Sequence, residues 1–195
     1  MAQSRLDWFI LPSNVLYRRI GYSFVFWLAI LAVAAQGDVD KSYSASQVKA
    51  VMFHKILIFV EWPELNSQEP ENPLVIGVSE NSKLYPHLVE IYKSYKVRDR
   101  KVVVRVLDDF SDCENCHVLL IESDLRKFVP EVIQAVGDRQ ILTIGDGRGF
   151  AERGLVLNFF RARGKISFEV NMPAVKQSGL RISSKLLKKA KIIYQ

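Results

Sequence analysis

Cysteine is nearly absent from this chain: its 195 residues hold two, Cys113 and Cys116. Histidine is almost as sparse, with His54, His87 and His117 far apart. A structural zinc site needs about four clustered Cys and His ligands, and no second cluster exists to complete one. There is no G-x-S-x-G and no S-x-x-K backed by supporting motifs, so no serine nucleophile is announced. There is no G-x-G-x-x-G and no Lys-bearing P-loop, so neither standard nucleotide cradle is present. Internal repeats and low-complexity tracts are missing too. The apolar run Ile20–Ala35 spans 16 residues, short of the roughly 20 that a helix needs to cross a bilayer. What remains is an ordinary globular balance, 49% hydrophobic and 25% charged, in a length suited to a single domain.

Residues 1–35 read as an export signal. Arg5, Arg18 and Arg19 form a positive start, Ile20–Val33 an uncharged apolar core, and Ala32–Ala35 a small-residue cleavage site. Residues 36–42 are a polar, flexible lead, and 43–195 form the mature domain, with no transmembrane segment. The formal net charge is +6; without the signal's three Arg and one Asp, 24 basic and 20 acidic residues leave +4. In an exported protein that balance indicates a solvated surface or attraction to anionic lipid heads rather than nucleic acid.

Ser44–Pro63 is the longest patterned stretch of the mature chain. Val48, Val51, Met52, Ile56, Phe59 and Val60 follow helical spacing, and Phe53, Leu57 and Ile58 widen the apolar face. Ser44 with Gln47 is a capping box, and Pro63 is the stop. The spacing predicts a helix buried on most sides, around which the rest packs. Residues 64–72 form a loop. Strands are expected at 73–79, 101–107, 117–122 and 140–144, with helices at 83–92 and 123–136. A glycine-rich connection, 145–154, precedes a hairpin of strands 155–160 and 165–170, with Gly164 suited to its turn. Short helices follow at 171–178 and from Ser183 through SSKLLKKAKII. The lysines of that last segment read as a solvated face. The alternation implies an α/β fold: one domain, with a mixed central β-sheet covered by helices on both faces.

Cys113-Glu114-Asn115-Cys116 precedes a strand rather than opening a helix, so no helix N-terminus activates a thiol. A structural disulfide across this short loop is expected in an oxidising compartment. The run Gly145-Asp146-Gly147-Arg148-Gly149 follows a strand, where a phosphate loop could sit. Too few residues separate it from the next strand for a long helix, so a tight turn is expected. His54 reads as a core or boundary histidine with its polar atoms satisfied, and Ser82 and Ser184 as helix caps. Asp108-Asp109 sits in a polar loop. No catalytic, metal or cofactor site assembles, and the expectation is a protein that is not an enzyme.

Several stretches, in order, resemble the YfiR family of periplasmic signalling proteins. They are VKAVMFHKILIFVEWP (48–63), VIGVSE (75–80), CHVLLIESD (116–124), ILTIGDGRGFAERGLVLNFF (141–160) and FEVNMPAVKQSGLRISSKLLKKAKI (168–192). The resemblance implies a non-enzymatic, periplasmic, homodimeric α/β domain. It also implies inhibition of an inner-membrane diguanylate cyclase through that enzyme's periplasmic part, with effects on cyclic di-GMP and biofilm. Cys116 matches the family's strand-leading Cys. The family's usual partner position falls near Val75 or Ile76, and Thr143 and Phe150 stand where a second disulfide would be, which leaves Cys113 as the one partner within the chain.

The partner expected is thus an inner-membrane sensor, a diguanylate cyclase or histidine kinase. Its contacts are expected on the glycine turn and hairpin: Arg148, Phe150, Arg153, Phe160 and Arg161, large residues in segments that turn chemistry brings to the surface. The alternative is a periplasmic small-molecule sensor, binding a nucleotide or amino acid near Gly145–Arg148. A thiol enzyme at Cys113 and Cys116 ranks third.

Overall fold

The structure, a computed structural model, describes residues 43–66, 69 and 71–194. The expected export signal and lead lie outside these residues. Helix α1 (Ala45–Ile58) begins with the expected capping box: Ser44 Oγ accepts the Gln47 N–H at 3.1 Å, and Gln47 Oε1 accepts the Ser44 N–H at 2.7 Å. It stops at Ile58, earlier than Pro63 implied. The next residues form strand β1 (Val60–Glu61), which pairs antiparallel with β8 (Arg181–Ile182). The expected buried stripe is also corrected. Ala50, Phe53, Ile56 and Leu57 face inward, while Val48, Val51 and Ile58 are exposed. Apolar residues ring this helix, so spacing alone could not choose which side the sheet would cover.

Helix α2 (Pro63–Asn66) leads toward β2 (Leu74–Ser79). Then come α3 (Tyr85–Tyr92), β3 (Val102–Leu107), a 3₁₀ segment (Phe110–Asn115) and β4 (Val118–Glu122). The predicted helix at 123–136 divides into a 3₁₀ segment, Ser123–Phe128, and α4 (Val129–Val136). Strand β5 (Leu142–Asp146) is followed by the hairpin β6 (Leu157–Ala162) and β7 (Lys165–Asn171). Arg163 and Gly164, at φ 49° and 77°, form the tight turn between Ala162 and Lys165. Helix α5 (Met172–Gln177) and β8 follow. The expected C-terminal helix is a single turn, α6 (Ser184–Leu187), and its remainder is strand β9 (Lys191–Ile193). There β7 offers a free edge, and Ile193 is buried against it.

The seven-stranded sheet runs β3-β2-β4-β5-β6-β7-β9. Strands β3, β2, β4, β5 and β6 are parallel neighbours, β7 is antiparallel to β6, and β9 is parallel to β7. The sheet is mixed, as the sequence implied. Successive β4 residues point to opposite faces. Val118 and Leu120 join the core under α1 and α3, while Leu119 and Ile121 join the core under α4. Helices thus cover both faces. A fully buried Leu or Ile in either core contributes roughly 1.5–3 kcal/mol.

His117 joins three segments at the start of β4. Its Nδ1 accepts the Val75 N–H at 3.0 Å, and its carbonyl accepts Trp62 Nε1–H at 3.0 Å and the Leu142 N–H at 2.9 Å. Burial, assisted by the nearby Arg100 charge, holds its imidazole below the usual histidine range. His54 is corrected in one respect: its Nδ1 has no hydrogen-bond partner among the described residues. Its ring packs instead against Tyr92 and Tyr95, with centroids 5.6 and 5.3 Å away.

Candidate functional site

The glycine turn leaves the carboxyl end of β5 and returns to β6. Phe150 controls its shape. A Cβ added at Gly145 or at Gly147 would lie 2.7 Å from Phe150, so both positions must stay bare for the ring to seat. Phe150 is fully buried in the core under α4. It therefore cannot belong to a contact surface, and its expected partner-binding role is corrected. Its size marked it as a contact when the same size makes it a core plug.

Of the other expected residues, Arg148, Phe160 and Arg161 line one cleft of about 610 Å³. Arg153 is exposed but stands outside it. Besides Glu152, exposed in the turn itself, four further residues complete the charge pattern: Lys49 from α1, Asp146 from β5, Glu169 from β7 and Lys191 from β9. Their sequence positions are too far apart for local patterning to join them. Lys49 Nζ lies 2.6 and 2.5 Å from the two Asp146 oxygens and ties the first helix to the turn. A second chain of bonds runs beneath. Asn158 Oδ1 accepts the Gly147 N–H at 3.2 Å, and Asn158 Nδ2–H donates to Glu169 Oε1 at 2.9 Å. Lys191 Nζ then reaches Glu169 Oε2 at 3.1 Å. Asn158 and Glu169 are buried, so their polar atoms need these partners.

These pairs neutralise Asp146 and Glu169 in place. Arg148 and Arg161 remain exposed at the mouth, with Phe160 half-buried between solvent and the sheet. Lys191 also stands 5.8 Å from the Phe160 ring centroid. The arrangement can recognise carboxylates with two guanidiniums beside an aromatic wall. No group of three or more His, Cys, Asp or Glu among the described residues is placed to hold a metal ion.

Cys113 and Cys116 lie on the other face of the sheet as buried free thiols. The Cys116 N–H donates to the Cys113 carbonyl at 2.9 Å. Arg139 Nη2 is 3.3 Å from Cys113 Sγ, and Arg105 Nη2 is 3.5 Å from Cys116 Sγ. Burial pushes the Cys116 thiol up, against a smaller downward pull from Arg105. The thiol is thus held protonated, the unreactive form.

A family model described as YfiR/HmsC-like matches residues 46–191. No curated protein matches the chain. Among solved structures, a conserved domain protein from Vibrio cholerae O1 biovar El Tor superposes with a TM-score of 0.50 at 15% identity. That match covers 76% of this chain and 60% of that one, so this chain spans well under two thirds of its length. At such identity the likeness is one of fold. The ABC domain of Streptococcus pneumonia, in complex with L-Trp, superposes with a TM-score of 0.49 at 12% identity, covering 72% of this chain and 61% of that one. Among the described residues, no helix is long and apolar enough to cross a membrane.

Proposed function

This chain belongs to the YfiR/HmsC-like family, and from that premise we propose that it is a non-enzymatic signalling regulator of the periplasm. It is exported, and it binds the periplasmic part of an inner-membrane diguanylate cyclase or similar sensor and holds it inhibited. It acts as a homodimer, and cyclic di-GMP output and biofilm follow its state. The observation that carries this reading is the match over 46–191, nearly all of the mature domain. The cleft supports a place for contact. Arg148 and Arg161 offer exposed guanidiniums beside Phe160, and an Arg pair with an aromatic is the usual composition of a binding hot spot. Arg153 extends the same basic surface, and Phe150 supports it from below. In the oxidising periplasm Cys113 and Cys116 pair. Closing so short a loop stabilises by about 2 kcal/mol at most.

The experiment is crosslinking of the tagged mature chain in its native envelope, with mass spectrometry of what it captures. A membrane protein bearing a cytoplasmic cyclase or kinase domain is the expected product. Repeated capture of no membrane protein would count against the reading. The cleft's volume of about 610 Å³ favours a second reading, a sensor for a nucleotide or amino acid. A thermal-shift panel of both classes tests it, and a flat response ends it.

A further inference from the structure

A second cleft of about 610 Å³ opens where β2 and β3 end, beside α4. Its position has a topological reason. The chain leaves β2 through α3 on one face and leaves β4 through α4 on the other. Adjacent strands β2 and β4 are therefore the switch point of the parallel sheet, and crevices outside the carboxyl ends of strands at such points are where ligands bind in α/β folds. Leu107, Phe110, Leu125 and Val132 contribute apolar wall. Glu80, Asp108, Asp109 and Glu131 contribute carboxylates, all exposed. Among the described residues no basic side chain lines the cleft, and no ion pair joins any of these four to a cation. This stands out in a chain whose net charge is +6.

A further observation points to the occupant. Phe128, also in the lining, is 40% exposed, a large ring left in water. The Lys127 ammonium sits 4.7 Å from that ring's centroid. An ammonium on an aromatic face, beside carboxylates, is how proteins hold organic cations. A bare divalent ion does not fit, because these carboxylates do not converge into a metal-binding group.

We propose that this crevice binds a small organic amine, an ammonium carried on an apolar body. Carboxylates of Asp108 and Glu131, with the Phe128 ring, take the ammonium, and Phe110 and Leu125 take the body. The volume suits a ligand of that class, since small-molecule sites run from about 300 to 1,000 Å³. The site is separate from the glycine-turn cleft, so the inference stands whether or not that cleft meets a membrane partner.

Calorimetric titration of the full chain tests it, with phenethylamine and 1,6-diaminohexane as probes and 3-phenylpropionate as the anionic match to the first. One saturable site for phenethylamine is expected, weakened by added salt. Asp108→Asn with Glu131→Gln is expected to lower its affinity about ten-fold or more, as loss of bonds to charged groups does. The exposed control Asp138→Asn leaves binding unchanged, and an unaltered melting temperature shows that each variant folds. Equal binding of 3-phenylpropionate, or undiminished binding by the double variant, would overturn the proposal. So would the absence of saturation by either amine at millimolar concentration. Binding of a basic apolar peptide when both amines fail would also overturn it, and would make the crevice a protein-docking groove.

Discussion

The two clefts have nearly the same volume and opposite electrostatic construction. Around the glycine turn each partly buried or buried anion has its cation: Asp146 has Lys49, and Glu169 has Lys191. At the switch point four carboxylates stand with no such partner among the described residues. The first cleft spends most of its charges on joining α1, β5, β7 and β9, leaving its rim arginines and the exposed Glu152 for a visitor. The second leaves its charges in solvent, where they cost the fold little and remain available. A pocket's charged residues therefore indicate a ligand only after those that hold the fold together have been set aside.

Several substitutions break or sharpen that contrast. The largest effect is expected at Phe150, on which the glycine turn is built. Phe150→Ala removes a fully buried ring and should cost about 3–5 kcal/mol in urea unfolding. A smaller loss is expected from Asp146→Asn. Lys49 and Asp146 are 19% and 15% exposed, between the surface and buried limits for an ion pair, so a loss of about 1–2 kcal/mol is expected. A double-mutant cycle with Lys49→Met should return most of that as coupling between the two residues.

Acid provides a third test. The folded-state pKa of His117 lies below its ordinary 6.5. The unfolded chain then binds the extra proton first, so the contribution is complete above 6.5 and is lost as pH falls below it. Glu122, buried at the end of β4, has its carboxyl raised by that burial. Its contribution runs the other way, complete below the ordinary carboxyl range and lost as pH rises. His117→Leu should flatten the loss of stability as pH falls below 6.5, measured by chemical denaturation across pH. It should also lower stability at neutral pH by about 1–3 kcal/mol, because the Val75 N–H loses its acceptor. The smallest effect belongs to the switch-point crevice: Glu131→Gln should shift unfolding by no more than about 0.5 kcal/mol. A larger loss would show that its carboxylate has a structural partner after all.

Much of the fold was legible because its signals are local. Ser44 and Gln47 announce their capping box, Gly164 its turn, and the apolar run 118–121 a strand buried on both sides. The segment after Ser183 misled because its lysines and leucines suit a helix, while the empty edge of β7 decides for a strand at Lys191–Ile193. Helix α1 misled in its end, where Val60–Glu61 turns to strand, and in its phase, since Val48 and Val51 are as apolar as Ala50 and Phe53. At the candidate site, Arg148, Phe160 and Arg161 could be anticipated from turn chemistry. Lys49 and Lys191 could not, because they reach the cleft from opposite ends of the domain. Phe150 shows the limit of reading a turn by residue size: only the backbone's close approach at Gly145 and Gly147 reveals that the ring points inward.

The most direct measurement of the central claim is site-specific photo-crosslinking in the native envelope, with the reactive group placed once at position 161 and once at position 138. The proposed function predicts that position 161 captures an inner-membrane sensor and position 138 does not. It also predicts that Arg148→Glu abolishes the capture without lowering the melting temperature. Equal capture from both positions, or no membrane protein from either, would contradict it.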